Sequence, residues 1–195
     1  MGRAAGRADL DAVSACLTSA FFDDPVWGDW AFPERAGRAE RLGPLMRFWA
    51  QAAISSPWVR MTENAEAVAV WIPPGVAELT AGEETAFELL VAELWGPRAG
   101  ELSDLFEGFE QQHPRDAPHY YLSLWGTHRD SAGRGLGTAL INESLARIDT
   151  ERMPAYLEST NPANLGRYES LGFRRRAEFG PPGGPVITTM WREPR

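Results

Sequence analysis

Cysteine is nearly absent from this sequence, since the 195 residues include a single one, Cys16. It lies within an apolar helical pattern and has no partner, which excludes a disulfide framework and a cysteine-rich zinc site. The three histidines, His113, His119 and His128, lack the paired spacing of a metal-binding helix. We therefore expect a buried thiol, no metal site and an organic cofactor.

Long apolar runs and an excess of basic residues are also missing. No run approaches the roughly 18 apolar residues of a membrane span, and the first residues, MGRAAGRADLDAV, lack the apolar core of a signal peptide. We therefore expect a cytoplasmic protein with no membrane partner. The formal net charge of -8 argues against a nucleic-acid partner, because phosphates call for a basic face. It leaves room for a cationic amine as substrate.

What is present is a mixture of helical and strand patterns typical of one globular domain over residues 1–195. The first half predicts helices at 9–22 and 35–54, a hairpin at 58–62 and 66–72, and helical stretches around 87–94 and 102–109. The second half alternates, with strands at 119–126, 155–159, 173–179 and 186–191 and helices at 136–148 and 161–172. The sequence therefore predicts a mixed α/β domain.

A glycine-rich stretch, GTHRDSAGRGLGTALI at 126–141, lies between a predicted strand and a predicted helix. Glycines let several backbone N–H groups point into one concavity beside the positive end of a helix, which suits a phosphate. The alternative is a tight turn in which glycine supplies a positive φ. A Walker loop is absent, and the dinucleotide fingerprint fails at Thr138. Neither ATP nor NAD is favoured.

A second segment, LESTNPANLGRYESLGF at 157–173, follows downstream. In this order the two segments resemble the cofactor-binding segments of the GNAT acetyltransferase superfamily, and AVAVWIPP with the second segment is most similar to the puromycin N-acetyltransferase branch. The resemblance implies an α/β fold with a single mixed, largely antiparallel sheet, splayed central strands and flanking helices. That family usually opens with a strand, which is expected to be short or missing here.

The resemblance implies acetyl-CoA as acyl donor, lying against the end of the strand YLSLWGT. Trp125 and Thr127 would offer main-chain groups to the pantetheine arm, and Asn161 would bond the arm from the other side, with Asn164 in the same motif. The pyrophosphate is expected at Gly133, Arg134, Gly135, Leu136, Gly137 and Thr138. Ala132 replaces the family's usual Gln or Arg and Arg129 its usual proline, but a cradle of backbone amides survives both departures.

The same resemblance gives candidates for the chemistry. Tyr168 matches the family's proton donor, and a phenol with an unperturbed pKa of about 10 is protonated at neutral pH. Glu158, at the end of a predicted strand, is the first candidate for the base, and the alternative is that it caps the following helix. His119 is the second candidate.

The acceptor is predicted to be a primary amine of a small molecule. Residues 21–34 combine aromatic and acidic side chains, and Trp27, Trp30 and Asp24 are candidates for holding an apolar amine. The alternative is a core-covering loop whose tryptophans pack inward. A non-catalytic acyl-CoA-binding sensor on the same fold is the competing function, and acetylation of a protein is a weaker option. The sequence itself carries no signal for oligomeric state, and the homodimer that it leaves open rests on the resemblance, because this superfamily often pairs subunits.

Overall fold

The computed structural model describes residues 2–195 and places seven strands in one sheet. The strands are β1 (Arg3–Ala4), β2 (Val59–Met61), β3 (Ala67–Ile72), β4 (Tyr120–Thr127), β5 (Ala155–Ser159), β6 (Arg174–Phe179) and β7 (Ile187–Arg192). Their order across the sheet is β1-β2-β3-β4-β5-β7-β6, and every neighbouring pair is antiparallel except β4 with β5. The predicted mixed, largely antiparallel sheet is therefore confirmed, and the first strand is short.

Six α-helices flank the sheet. They are α1 (Leu10–Phe21), α2 (Arg38–Ala53), α3 (Ala81–Trp95), α4 (Ala99–Gln112), α5 (Leu136–Thr150) and α6 (Leu165–Ser170). Local chemistry sets their ends, as at α3, where Thr80 and Glu83 form a capping box and Gly96 follows the last residue. No helix of residues 2–195 is long and apolar enough to cross a membrane.

Two buried clusters lie on opposite faces of the sheet. One packs under α1, α2, α3 and α4 and includes Leu17, Leu45 and Leu105, while the other packs under α5 and α6 and includes Ile141 and Leu165. The strand β3 is covered on both faces, and all six of its residues are buried. Its continuous apolar run, AVAVWI, follows from that double burial.

The centre of the sheet opens where β4 meets β5. These parallel strands pair only at Tyr120 with Ala155 and at Tyr121 with Tyr156, so they diverge towards their carboxyl ends. On its other edge β4 carries a bulge, because Val70 of β3 pairs with Leu124 and Trp71 pairs with Leu122. The bulge leaves the residue between them, Ser123, without a partner on β3, beside the divergence of the two strands.

Candidate active site

The glycine-rich loop connects the end of β4 to the start of α5. Gly133 and Gly135 have φ values of 77° and 75°, a left-handed conformation that favours glycine. Gly137 is needed for a different reason, since a Cβ there would lie 2.5 Å from Thr127 Oγ1 and 3.0 Å from Trp125 Nε1. The loop thus packs directly against the carboxyl end of β4.

The first turn of α5 has backbone N–H groups with no hydrogen-bond partner within residues 2–195. The first intrahelical bond from its start is that of Ala139 N–H to Gly135 O, so Leu136, Gly137 and Thr138 have N–H groups free for a ligand. Arg134 adds a guanidinium that is more than half exposed and reaches Glu66 and Ser131. Free donors, the helix dipole and a cation together fit the diphosphate of coenzyme A.

The divergence of β4 and β5 opens into a cavity of about 1240 Å³. The cavity extends from the two strands to the inner faces of α2, α3 and α4 and to the loop at 73–80. Trp125, Asn164, Tyr168 and Glu158 line it on the strand side, and the aromatic rings of Trp27, Trp49, Phe87, Phe106 and Phe109 line it on the helical side. Acidic side chains, at Asp24, Glu78, Glu84, Glu88, Glu107, Glu110 and Glu158, outnumber the one lining arginine, Arg115.

Tyr168 lies between the loop and the cavity. It is on α6, and its ring packs against Trp125 at 5.4 Å between centroids. Burial raises the pKa of its hydroxyl, and the nearby Asp24 carboxylate adds to that rise. The phenol is therefore protonated at neutral pH, as a proton donor to a leaving thiolate must be.

Comparison with known proteins agrees with this geometry. Residues 83–173 match the model of the acetyltransferase (GNAT) family. Members of that family are generally acyltransferases that use acetyl-CoA.

Solved structures extend the likeness to the GNAT fold of the whole chain. A histone acetyltransferase HPA2-related protein from Corynebacterium glutamicum has a TM-score of 0.65 at 23% identity, covering 100% of this chain and 96% of that one. Arylalkylamine N-acetyltransferase 2 from Aedes aegypti has a TM-score of 0.67 at 14% identity, covering 100% and 99%. A polyamine N-acetyltransferase from Drosophila melanogaster has a TM-score of 0.63 at 14% identity, covering 99% and 99%.

The structure brings most of the residues predicted from the GNAT resemblance to this cleft. Trp125, Asn164 and Tyr168 line the cavity, and the 133–138 loop lies beside Thr127 at the end of β4. Asn161 caps the short 3-10 helix Pro162–Asn164, accepting a hydrogen bond from Ala163 N–H at 2.9 Å with its side-chain oxygen. Only its amide N–H₂ is left to reach a pantetheine arm.

Glu158 points into the cavity from β5. The alternative prediction, that Glu158 caps the following helix, is wrong because Asn161 caps that helix. Burial raises the pKa of Glu158 to about 8, against an opposing effect of the Tyr156 and Tyr121 hydroxyls. Its Oε1 has no hydrogen-bond partner within residues 2–195. A carboxyl group in this environment is mostly protonated at neutral pH.

His119 also lines the cavity, but both of its ring nitrogens are occupied. Nδ1 donates to Ala117 O at 2.8 Å, so Nε2 accepts from His113 Nε2 at 3.1 Å. This leaves His119 without a free lone pair for an incoming ammonium. Burial lowers the pKa of His113 to about 4, so this histidine does not supply a positive charge to Glu158.

Residues of the aromatic and acidic segment around Pro25–Trp30 have two different roles. Asp24 is buried and accepts bonds from the N–H groups of Val26 and Trp27 and from Thr160 Oγ1, at 2.9, 3.0 and 2.8 Å. Burial raises the pKa of Asp24. Its carboxylate lines the cavity with both oxygens already engaged, which favours the structural alternative for this residue.

Trp27 and Trp30 face different ways. Trp27 stacks on Phe109 at 5.9 Å and lines the cavity, whereas Trp30 is not among the lining residues and lies under the Arg98 guanidinium. The segment is a π-helix with hydrogen bonds from residue i+5 to residue i, so two residues three apart do not share a face as they do in an α-helix. The prediction that Trp30 holds the acceptor is therefore wrong for this cavity.

Sequence reasoning missed Glu78 and Ser123. Glu78 lies in the loop after β3, and its carboxylate accepts a hydrogen bond from Ser123 Oγ. Both residues line the cavity. No motif surrounds Glu78, and the only signal in the sequence is an acidic residue shortly after Pro73-Pro74-Gly75, where the hairpin strand ends.

Proposed function

We propose that the protein transfers an acetyl group from acetyl-CoA to a primary amine of a small molecule by direct attack. One observation carries this proposal: the free backbone donors at the start of α5 and the buried Tyr168 flank the same divergence of β4 and β5. A diphosphate bound at the loop would direct the rest of the coenzyme along β4 towards Tyr168. The thioester would then supply an acyl group to a nucleophile in the cavity.

The cavity supports an amine acceptor with an apolar body. Its aromatic rings at Trp27, Trp49, Phe106 and Phe109 can contact hydrocarbon or a cation, and its lining carboxylates attract a positive charge. The acidic lining would raise the local concentration of an ammonium ion. Resemblance to the puromycin N-acetyltransferase branch adds an aminonucleoside to the acceptors worth testing, beside the arylalkylamines and polyamines named for structural neighbours.

The chemistry needs a neutral amine, a stabilised oxyanion and a protonated leaving thiolate. Tyr168 O–H would give its proton to the sulfur as the carbon–sulfur bond breaks. Backbone N–H groups of β4 freed by the divergence from β5 are the donors available to the oxyanion. The cavity walls limit the access of water, which would otherwise compete with the amine.

Calorimetry with coenzyme A and acetyl-CoA tests the binding half of this proposal. We expect the wild-type protein to bind both, and Gly137→Val to weaken binding by about 100-fold, equivalent to about 2.7 kcal/mol, because the new side chain pushes the loop away from Thr127 and Trp125. Gly166→Ala is the matched control, since a Cβ at Gly166 meets nothing within 4 Å. A folded wild-type protein that ignores both ligands would overturn the proposal.

A thiol-release assay tests the chemical half. Acetyl-CoA is incubated with an arylalkylamine, a polyamine, puromycin, an aminoglycoside and amino acids, and free coenzyme A is measured. Release that depends on one class of amine supports the transferase. Tight binding of acetyl-CoA without release for any amine would instead support the acyl-CoA sensor.

A further inference from the structure

Glu78 reaches into the cavity from the loop at 73–80, which follows β3. Residues 75–77 are exposed, whereas the Glu78 side chain turns inward and accepts a hydrogen bond from Ser123 Oγ. Ser123 is the bulge residue of β4, which pairs with no residue of β3. The bulge therefore presents a hydroxyl at the centre of the cavity wall, and that hydroxyl fixes the position of one carboxylate.

We propose that the Glu78 carboxylate, positioned by Ser123, is the base that removes a proton from the acceptor ammonium, and that Glu158 is not. The inference rests on the proposed acetyl transfer. The inference replaces Glu158, the candidate base that the sequence favoured, with a residue from a different part of the chain.

Burial, one carboxylate and one hydroxyl set the ionisation of Glu78. Burial raises the pKa of Glu78 to about 7, the carboxylate of Glu110 on α4 raises it further, and the Ser123 hydroxyl lowers it. The one arginine in the lining, Arg115, is already paired with Glu110 at 2.6 Å. The other titratable groups lining this cavity are Asp24, Glu84, Glu88, Glu107, His113, His119, Tyr121, Glu158 and Tyr168.

Glu78 and Glu158 interact across Tyr121. Both carboxylates raise the pKa of the Tyr121 hydroxyl, and Glu78 also raises the pKa of Glu158. Two neighbouring carboxyl groups in one cavity ionise in sequence, and the group with the better access to polar partners ionises first. Hydroxyl groups favour ionisation at both sites, from Ser123 at Glu78 and from Tyr156 and Tyr121 at Glu158. The difference is access to solvent: Glu78 lies on a loop open to solvent, whereas the Glu158 side chain is 3% exposed and faces a neutral His113.

The proposed proton transfer balances with the rest of the reaction. One proton of the ammonium passes to a Glu78 oxygen, and the neutral nitrogen attacks the acetyl carbon. The carbon–nitrogen bond forms, the carbon–sulfur bond breaks, and Tyr168 gives its proton to the sulfur. The second nitrogen proton restores Tyr168, and Glu78 releases its own proton to solvent through the exposed loop.

The alternative role for Glu78 is to anchor the loop at 73–80 through its hydrogen bond with Ser123. A glutamine substitution distinguishes this role from that of a base. In Glu78→Gln the amide oxygen still accepts a hydrogen bond from Ser123 Oγ. The contact that anchors the loop is therefore kept, whereas the base is lost. Ser123→Ala does the reverse, because it removes the anchor and keeps the carboxylate. If Glu78 is only an anchor, Ser123→Ala is the more damaging change and Glu78→Gln has little effect.

The test is the pH dependence of kcat with a saturating amine from the thiol-release panel. We expect wild-type kcat to rise with pH and level off above about 7, and Glu78→Gln to lower kcat at pH 7 by about 100-fold and to remove the plateau. The KM for acetyl-CoA should stay within about twofold, since no coenzyme contact is changed. Glu93→Gln, outside the cavity on α3, removes one charge as a control and should match the wild type.

Three results would overturn the inference. They are a Glu78→Gln enzyme that keeps the wild-type plateau and rate, a Glu158→Gln enzyme that loses them, or a Ser123→Ala enzyme more impaired than Glu78→Gln. In each case the wild type still binds and uses acetyl-CoA, so the proposed function stands. A wild type that neither binds coenzyme A nor releases thiol overturns both.

An infrared titration of the coenzyme-free protein gives a readout independent of activity. Protonated carboxyl groups absorb apart from carboxylates, so each buried carboxyl group appears as a band that disappears on ionisation. We expect a band with a midpoint near pH 7 that is absent from Glu78→Gln and present in Glu158→Gln. The opposite assignment of that band would contradict the inference whatever the kinetics show.

Discussion

The two walls of the cleft are built in different ways. The wall proposed to bind coenzyme A, called the coenzyme side, is formed by the end of β4, the 133–138 loop, α5 and α6, and offers backbone N–H groups from one short stretch of chain. The wall proposed to bind the amine, called the acceptor side, is formed by α1 to α4, the Pro25–Trp30 segment and the loop at 73–80, and offers side chains from separate elements. Backbone binding requires glycines at fixed spacing and leaves a motif, whereas binding by convergent side chains leaves none.

Tyr168 lies where the two sides meet and gives the largest expected effect. Tyr168→Phe keeps the ring contacts with Trp125 and Phe173 but removes the proposed proton donor. We expect kcat to fall by about 100-fold to 1000-fold, with the affinity for acetyl-CoA within about threefold. Steady-state kinetics and calorimetry measure the two quantities.

Tyr120→Phe is the matched control for that change. The Tyr120 hydroxyl bonds Glu151 at 2.6 Å and does not line the cavity. We expect kcat to be unaffected. Equal rates for the Tyr168 and Tyr120 variants would mean that the coenzyme side acts without a phenol donor.

The stability of a Glu158 variant is the next test, because ionising a buried carboxyl group lowers the free energy of unfolding. The folded protein holds this proton up to a pKa of about 8, against an ordinary value of 4.5, so ionisation of Glu158 lowers the stability of the folded state as pH rises between those values. Glu158→Gln removes that loss. We expect the variant to gain about 1–3 kcal/mol over the wild type at pH 9 and little at pH 4.

Denaturant unfolding at both pH values measures this difference. Glu93→Gln is again the control and should follow the wild type. A Glu158→Gln protein whose advantage does not grow between pH 4 and pH 9 would show that Glu158 ionises without penalty, as a carboxylate already exposed to solvent does.

A substitution at Trp27 tests the acceptor side and has the smallest expected effect. Trp27→Phe preserves an aromatic ring against Phe106 and Phe109 but reduces the surface available to a cation. We expect the KM for the amine to rise by about threefold. Trp30→Phe, outside the cavity lining, should leave it unchanged. An unchanged KM in Trp27→Phe would remove this residue from the acceptor site.

The sequence was informative where local pattern decides the structure. Apolar periodicity predicted α1 and α2 within a few residues, and two motifs predicted where Gly133 and Tyr168 would lie. The sequence did not predict the positions of Trp30 and Glu78. The direction of Trp30 depends on a π-helical turn, and the role of Glu78 depends on a bulge in a strand far away in the chain. Neither is encoded in the residues next to it.

The bulge at Ser123 gives β4 one residue more than the facing stretch of β3. Before it, Leu122 packs on the α5 side; after it, Leu124 packs on the α1 side and Trp125 on the α5 side, so the ordinary alternation is reset by one residue. Deleting Ser123 would leave Leu122 and Leu124 adjacent, still on opposite faces and opposite Trp71 and Val70, so the later residues of the strand would keep their faces and the hydroxyl that holds Glu78 would be lost. The extra residue therefore adds a polar group to the cavity wall without disturbing the packing on either side of the sheet.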